Sequence, residues 1–289
     1  MSRARSFCPP RVLRRGGSIC TSAADRTAVE GGYGVTGRGI GAVGGTFAVA
    51  VGMVLAGASA ACARDVSVAV AANFTAPARE IATAFERATG DHVVLSVGAT
   101  GQIYQQIVQG APFEVFLSAD ADRPRRLVAE GRAAPGAPVA YAFGRLVLYS
   151  PRPGLVDDRG AVLARGAFAH LAIADPAVAP YGQAAVEVLK HRGVYDSLAL
   201  RLVKGESIGQ AYTFVSTGAA ELGFVALSQV SDVPGGSRWT PPQTDYSPIE
   251  QDAVVTAAGK ANPSAARFLG FLQGPAARAI IARYGYGIR

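Results

Sequence analysis

The sequence predicts an α/β protein of two lobes, each a sheet flanked by helices, with a ligand cleft between them. Strand and helix patterns alternate from Val66 onward, and two stretches rich in Pro, Gly and Ala divide that alternation. Four strand ends also stop at short polar residues that open straight into helical patterns. A strand–helix–strand alternation implies parallel pairing with helices on both faces.

Val66–Ala72 is continuous in small and branched apolar residues, the pattern of a strand buried on both faces. Thr75–Ala88 reads as a helix, with Pro77 in its first turn, Ile81, Ala82 and Phe85 on its apolar face, and Gly90 as its stop. His92–Val97 is the next strand, followed by a helix marked by Ile103, Tyr104, Ile107 and Val108 that ends at Gly110. Val115–Ser118 is a third strand and Arg125–Glu130 a third helix. A connector covers 132–144, and Leu146–Tyr149 restarts the pattern. Leu171–Ala174, Arg201–Val203 and Leu222–Val225 read as strands, Gln183–His191 and Gly209–Thr217 as helices. Val233–Thr244 is a second connector, Ala253–Ala257 a last strand, and Pro263–Leu272 and Pro275–Arg283 terminal helices. The expected organisation is a leader over 1–63, a first lobe of 64–143 with 245–289, and a second lobe of 144–244.

An apolar fraction of 49% with 17% charged residues is that of a globular chain. The net charge of +7 is uneven: residues 1–63 hold seven arginines against Asp25 and Glu30, leaving 21 basic and 19 acidic residues beyond. With no basic stripe and interleaved aromatics in that nearly neutral part, nucleic acid is not an expected partner. Gly39 to Ser59 is a run of small and apolar residues after Arg38, ending in Ala58-Ser59-Ala60 and Ala61-Cys62-Ala63, both of the type a signal peptidase cleaves. It is too rich in Ala and Gly for a stable membrane span. Residues 35–63 read as a signal peptide and 1–34 as an extension without its pattern. The cysteines at 8, 20 and 62 fall in the leader, so disulfides and thiolate chemistry are not expected after cleavage at Ala63. Cys62 has Ser59 three positions upstream, where a lipoprotein signal wants a larger aliphatic residue.

The junctions are Asn73-Phe74-Thr75, Gly98-Ala99-Thr100-Gly101, Pro180-Tyr181-Gly182-Gln183 and Glu206-Ser207-Ile208-Gly209-Gln210, the last with the capping-box spacing Ser207-x-x-Gln210. The first turn of a helix leaves N–H groups without internal acceptors, and its dipole favours negative charge. Two such junctions per lobe can surround an anion, and neutral donors orient a dehydrated oxyanion without the grip of an ion pair. Ordinary helix caps have the same composition, so the residues alone leave both readings open. Catalytic constellations are weaker. His92, His170 and His191 lack metal-ligand spacing, Asp120 and Asp122 read as loop and cap residues, and Ser216 and Ser228 lack a nucleophile-elbow context. Gly39-x-Gly41 lies in the leader and is no dinucleotide fingerprint. Trp239, beside Pro241 and Pro242, reads as a hinge or core aromatic. No enzyme is expected.

At these junctions the chain resembles the periplasmic molybdate-binding proteins of ABC transporters. The matching stretches are AVAANFTAPAREIATAFERATG, GATGQIYQQIVQGAPFEVFLSAD, AIADPAVAPYGQAAVEVL, ESIGQAYTFVSTGAAELGFVALSQV and FLQGPAARAIIARYGYGIR, within a span from about Val66 to Arg289. The resemblance implies a type II periplasmic-binding-protein fold that closes on a tetrahedral oxyanion by rotation about connectors near 140–146 and 234–248. It implies Asn73 and Thr100 as ligands from the first lobe, where many relatives have Ser at both places, and Tyr181 and Ile208 from the second, Ile208 through its backbone N–H. Some relatives carry a further tyrosine where Ala226 stands here. The implied ligand is molybdate or tungstate, molybdenum entering only as the oxyanion without protein–metal bonds. The implied partner is a membrane permease; a monomer in the periplasm with no cofactor is expected. The alternatives are a binding protein for another oxyanion such as sulfate, or an exported α/β enzyme. Phosphate binders need an acceptor for the ligand's proton, and no carboxylate stands at the four junctions. A normal signal peptide arises if translation starts at Val35 through a non-AUG codon. N-terminal sequencing of the precursor is expected to place its start there, and a start at Met1 overturns it.

Overall fold

The computed structural model describes residues 64–288, so the leader, its cysteines and its cleavage motifs lie outside the described residues. Two five-stranded sheets organise the chain. The first holds β1 (Asp65–Ala71), β2 (His92–Gly98), β3 (Val115–Leu117), β4 (Val139–Gly144) and β10 (Ile249–Val255), in the order β2-β1-β3-β10-β4. The second holds β5 (Leu146–Ser150), β6 (Leu171–Ala174), β7 (Leu202–Gly205), β8 (Leu222–Ala226) and β9 (Ser237–Trp239), in the order β7-β6-β8-β5-β9. The chain passes between sheets twice, from Gly144 to Leu146 and from Trp239 to Ile249.

Both sheets are mixed, which corrects the purely parallel expectation. β1 pairs parallel with β2 and β3, whereas β10 runs antiparallel to β3 and β4; likewise β6 is parallel to β7 and β8, while β5 is antiparallel to β8 and β9. Two of these strands lie inside the expected connectors: β4 within 132–144 and β9 within 233–244. Both run through Gly- and Pro-rich surroundings that mask a short half-buried strand. β10 also begins four residues earlier than the sequence suggests, at Ile249.

The continuous apolar run of β1 is explained by helices on both faces. Val66, Val68 and Val70 enter one core with Phe74, Ile81 and Phe85 of the segment that follows, while Ala69 points to another with Ile103, Tyr104 and Ile107. α1 (Thr75–Thr89) ends at Gly90, whose φ of 77° closes the helix in the left-handed region. Phe85 on α1 meets Phe268 of α9 (Pro263–Leu272) edge to face with centroids 5.3 Å apart. The second sheet has its own core, where Trp239 is buried beneath the Arg192 guanidinium at 4.6 Å. Among the described residues no helix is long and apolar enough to cross a membrane.

One polar tie joins three elements of the first lobe. Asp91, buried between α1 and β2, accepts from Arg267 Nε at 3.0 Å and from the Arg64 N–H at 3.3 Å, while Arg267 also reaches Ser264 Oγ at 2.9 Å. The Arg267 hydrogen bond holds the Asp91 carboxyl below its ordinary value against the opposing effect of burial. A carboxyl depressed by folding contributes stability that is complete above its unfolded value of about 3.9 and is lost as the pH falls through the folded value. Arg267→Ala is therefore expected to cost about 1–3 kcal/mol near neutral pH, shrinking below about pH 4 as Asp91 is protonated. Urea unfolding at pH 7 and pH 3 measures this, and an equal loss at both pH values contradicts it.

Candidate functional site: a cavity of helix starts between the lobes

The four junction residues meet at one place. Asn73, Thr100, Tyr181 and Ile208 all line a single small cavity between the two sheets, about 10 Å³ in volume, and its other lining residues are small or uncharged. Asn73 lies in the single 3₁₀ turn Ala72–Phe74 between β1 and α1. Thr100 is the first residue of α2 (Thr100–Val108) and Ile208 the first of α7 (Ile208–Ser216). Tyr181 is the second residue of α5 (Pro180–His191), where Pro180 takes the first position at no cost because its missing N–H would have had no partner. α2, α5 and α7 thus direct the positive ends of their dipoles at one small volume without a formal charge in its lining.

Each junction leaves a different donor available. Thr100 Oγ1 accepts from the Ala119 N–H at 3.2 Å, so its own proton is free for the cavity. The N–H groups of Thr100 and Ile208 belong to first turns and have no intrahelical acceptor. The Gly101 N–H donates to the Val178 carbonyl at 2.8 Å, a backbone bond from one lobe to the other. Ser207 caps α7 as the sequence suggests, its Oγ accepting from the Gln210 N–H at 3.2 Å. The reciprocal half of the capping box is displaced by one residue: Gln210 Oε1 takes the Glu206 N–H at 2.6 Å.

Asn73 and Tyr181 face two ways. The Asn73 side-chain nitrogen is committed behind the cavity, donating to Gln251 Oε1 at 2.9 Å and Tyr286 Oη at 3.0 Å, so the backbone of its turn is the donor left for the cavity. Tyr181 is fully buried; its Oη accepts from Gln251 Nε2 at 3.2 Å, and burial raises its hydroxyl well above the ordinary value. It therefore stays protonated, able to donate. Ser228 Oγ donates to the Asn73 carbonyl at 2.8 Å, and Tyr286 Oη to the same carbonyl at 2.7 Å. Gln251, Tyr141 and Tyr286 carry no signal in the sequence, because isolated polar residues in a strand and near a chain end read as surface.

The other sequence candidates lie elsewhere or act structurally. Asp120 Oδ1 accepts from the Arg123 N–H at 2.9 Å at the start of α3 (Asp122–Ala129), which makes Asp120 a cap. A wider cleft nearby, about 240 Å³, is lined by Asp120, Asp122, Glu187 and Glu250 against Arg125, and that many carboxylates disfavour an anion. His92, His170 and His191 sit apart, each beside one carboxylate, of Glu86, Glu221 and Asp245. Among the described residues no group of three or more His, Cys, Asp or Glu is placed to hold a metal ion.

Comparison with known proteins fits this geometry. The family model described as bacterial extracellular solute-binding protein matches residues 66–287. The chain belongs to that family. Among its relatives, this solute-binding protein is 53% identical to the molybdate-binding protein ModA of Azotobacter vinelandii over 235 residues, covering 80% of this chain and 93% of the relative. It is also 53% identical to ModA of Rhodobacter capsulatus over 239 residues, with 83% and 94% covered. The solved structure of the Azotobacter vinelandii periplasmic molybdate-binding protein superposes with a TM-score of 0.76 at 44% identity, covering 78% of this chain and 99% of that one. The fold is the two-lobed periplasmic-binding-protein fold of these relatives.

Gly144 supplies a test of how tightly the cavity's rear is packed. A Cβ there would press on Tyr181 Oη and come within 2.7 Å of Gln251 Nε2, whereas one on Gly270, exposed on α9, meets nothing within 4 Å. Gly144→Ala is expected to cost about 1–3 kcal/mol of stability through overpacking. Gly270→Ala should be neutral or gain up to about 1 kcal/mol from helix propensity. Chemical denaturation of both variants measures the contrast, and equal effects would refute it.

Proposed function

We propose that this protein binds molybdate in the periplasm and delivers it to the membrane permease of an ABC transporter, as a monomer and without catalysing a reaction. The observation that carries this reading is the convergence of Asn73, Thr100, Tyr181 and Ile208 on one uncharged cavity between the lobes, in a chain 53% identical to two molybdate-binding proteins.

The chemistry of the donors supports a fully deprotonated tetrahedral oxyanion. First-turn N–H groups and two hydroxyls with filled acceptor sides give a lining dominated by donors, and no carboxylate stands among the lining residues to take a ligand proton. An unprotonated dianion matches such a site; a protonated phosphate leaves its own O–H unpaired, at the cost of an unmet buried donor. Discrimination between molybdate, tungstate and sulfate then rests on size, because charge and shape are alike. The first two have longer metal–oxygen bonds, and donors spaced for them hold sulfate loosely. Binding that bridges both lobes favours the closed arrangement, which is the form a permease can read. The two passages between the sheets, at 144–146 and 239–249, are the places where such rotation is absorbed.

A thermal-shift and calorimetry panel of molybdate, tungstate, sulfate and phosphate on the mature protein tests the reading. Stabilisation by molybdate or tungstate well beyond sulfate is expected; no response to either overturns it. Thr100→Ala and Tyr181→Phe are each expected to weaken molybdate binding by about 1–3 kcal/mol. Asn73→Ala should weaken it within the same range of about 1–3 kcal/mol by unpairing Gln251 and Tyr286 behind the site. Wild-type affinity in all three variants removes these residues from the site.

A further inference from the structure

Behind the cavity, polar side chains from both lobes form one buried cluster: Asn73, Tyr141, Tyr181, Ser228, Gln251 and Tyr286. Gln251 stands at its centre with no exposed surface. Its Oε1 accepts from Asn73 Nδ2 at 2.9 Å and lies 3.1 Å from Tyr141 Oη, while its Nε2 donates to Tyr181 Oη at 3.2 Å. A β-bulge makes this possible. Gln251 pairs with Ala142 and Asp252 with Ala140, so Tyr141 is the extra residue on β4, turned inward to give its proton to the Ser118 carbonyl at 2.9 Å. Gly144, lacking a side chain, leaves room for the Tyr181–Gln251 pair beside the passage between the sheets.

Proton accounting gives Gln251 a role. A phenol has one proton to give, and Gln251 Nε2 already fills an acceptor position on the Tyr181 oxygen. The Tyr181 proton must therefore leave in another direction. The other group in reach is Tyr286 Oη, which already accepts from Asn73 Nδ2 and gives its own proton to the Asn73 carbonyl. A charged oxyanion is a stronger acceptor than that phenol. We infer that Gln251 is a positioning residue for the anion: its carboxamide, donating at one end and accepting at the other, fixes Tyr181 as a donor to the cavity and holds the Asn73 turn in place. A carboxylate can only accept and a methionine can do neither well, so the role is specific to a group with both ends. The inference rests on the oxyanion-binding reading of the cavity.

Calorimetry with sodium molybdate on the mature protein tests it, using wild type, Gln251→Glu and Gln251→Met, each with and without Tyr181→Phe. At pH 8, Gln251→Glu is expected to bind at least about tenfold more weakly than wild type, since its carboxylate takes the Tyr181 proton. The deficit should narrow as the pH falls towards 6, because a buried glutamic acid can titrate that high and, once protonated, again donates and accepts. The phenols of Tyr141, Tyr181 and Tyr286 stay protonated over this range, and the carboxylates nearest the cluster, Asp120 and Asp252, are common to wild type and variant. Gln251→Met should lose about tenfold at every pH, and less than about threefold further once Tyr181→Phe is present. A pH-independent deficit in Gln251→Glu, or full additivity of Gln251→Met with Tyr181→Phe, overturns the inference. If Gln251→Glu does not fold, additivity in the methionine pair decides alone. Failure of the wild type to bind molybdate instead overturns the proposed function, so the two failures are told apart.

Discussion

A donor faces the cavity usefully only if its other valences are satisfied from behind, and the architecture around the cleft follows from that constraint. Thr100 is free to give its proton because the Ala119 N–H fills its acceptor side. On Tyr181 the same acceptor position is filled by Gln251. The first turns of α2 and α7 supply N–H groups that no helix can use internally. None of this needs a charged side chain, and a lining without one keeps the desolvation cost low while helix dipoles provide the positive field. The buried phenols complete the arrangement, protonated as phenols ordinarily are near neutral pH and raised further by burial.

Both lobes contribute to this arrangement, and direct bonds cross between them. The Gly101 N–H reaches Val178, and Ser228 reaches the Asn73 carbonyl. Glu187 accepts from the Ser247 N–H at 2.6 Å beside the return passage. Contacts beside the cavity thus tie the two lobes together, and a shift of one lobe strains bonds to the other.

Much of this was legible in the sequence, for identifiable reasons. Pro263–Leu272 and Pro275–Arg283 match their helices residue for residue, because a proline at the first position and a polar or glycine cap mark both starts. The four junctions were legible because β-branched runs that stop at small polar residues are local patterns. The strands β4, β9 and the first half of β10 were not. Ile249-Glu250-Gln251-Asp252 is mostly polar, yet Gln251 and Asp252 are buried, one inside the hydrogen-bonded cluster and the other opposite the bulge at Tyr141. Burial of a polar residue depends on partners far along the chain, here 178 residues away for Asn73 and Gln251, and local periodicity carries no trace of that. For the same reason Asn73 was expected among the ligands with no hint that its amide is occupied from the rear.

The place of β10 in the first sheet bears on how the chain assembles during synthesis. β10 lies between β3 and β4, although it is made after the whole of the second sheet. Until residue 255 emerges, the first sheet is a set of strands with a gap, whereas the second is drawn from one continuous stretch, 146–239. Pairing across so many residues is slow, because the loop must close before the ladder rewards it. The half of the molecule read first is therefore the half whose sheet is completed last.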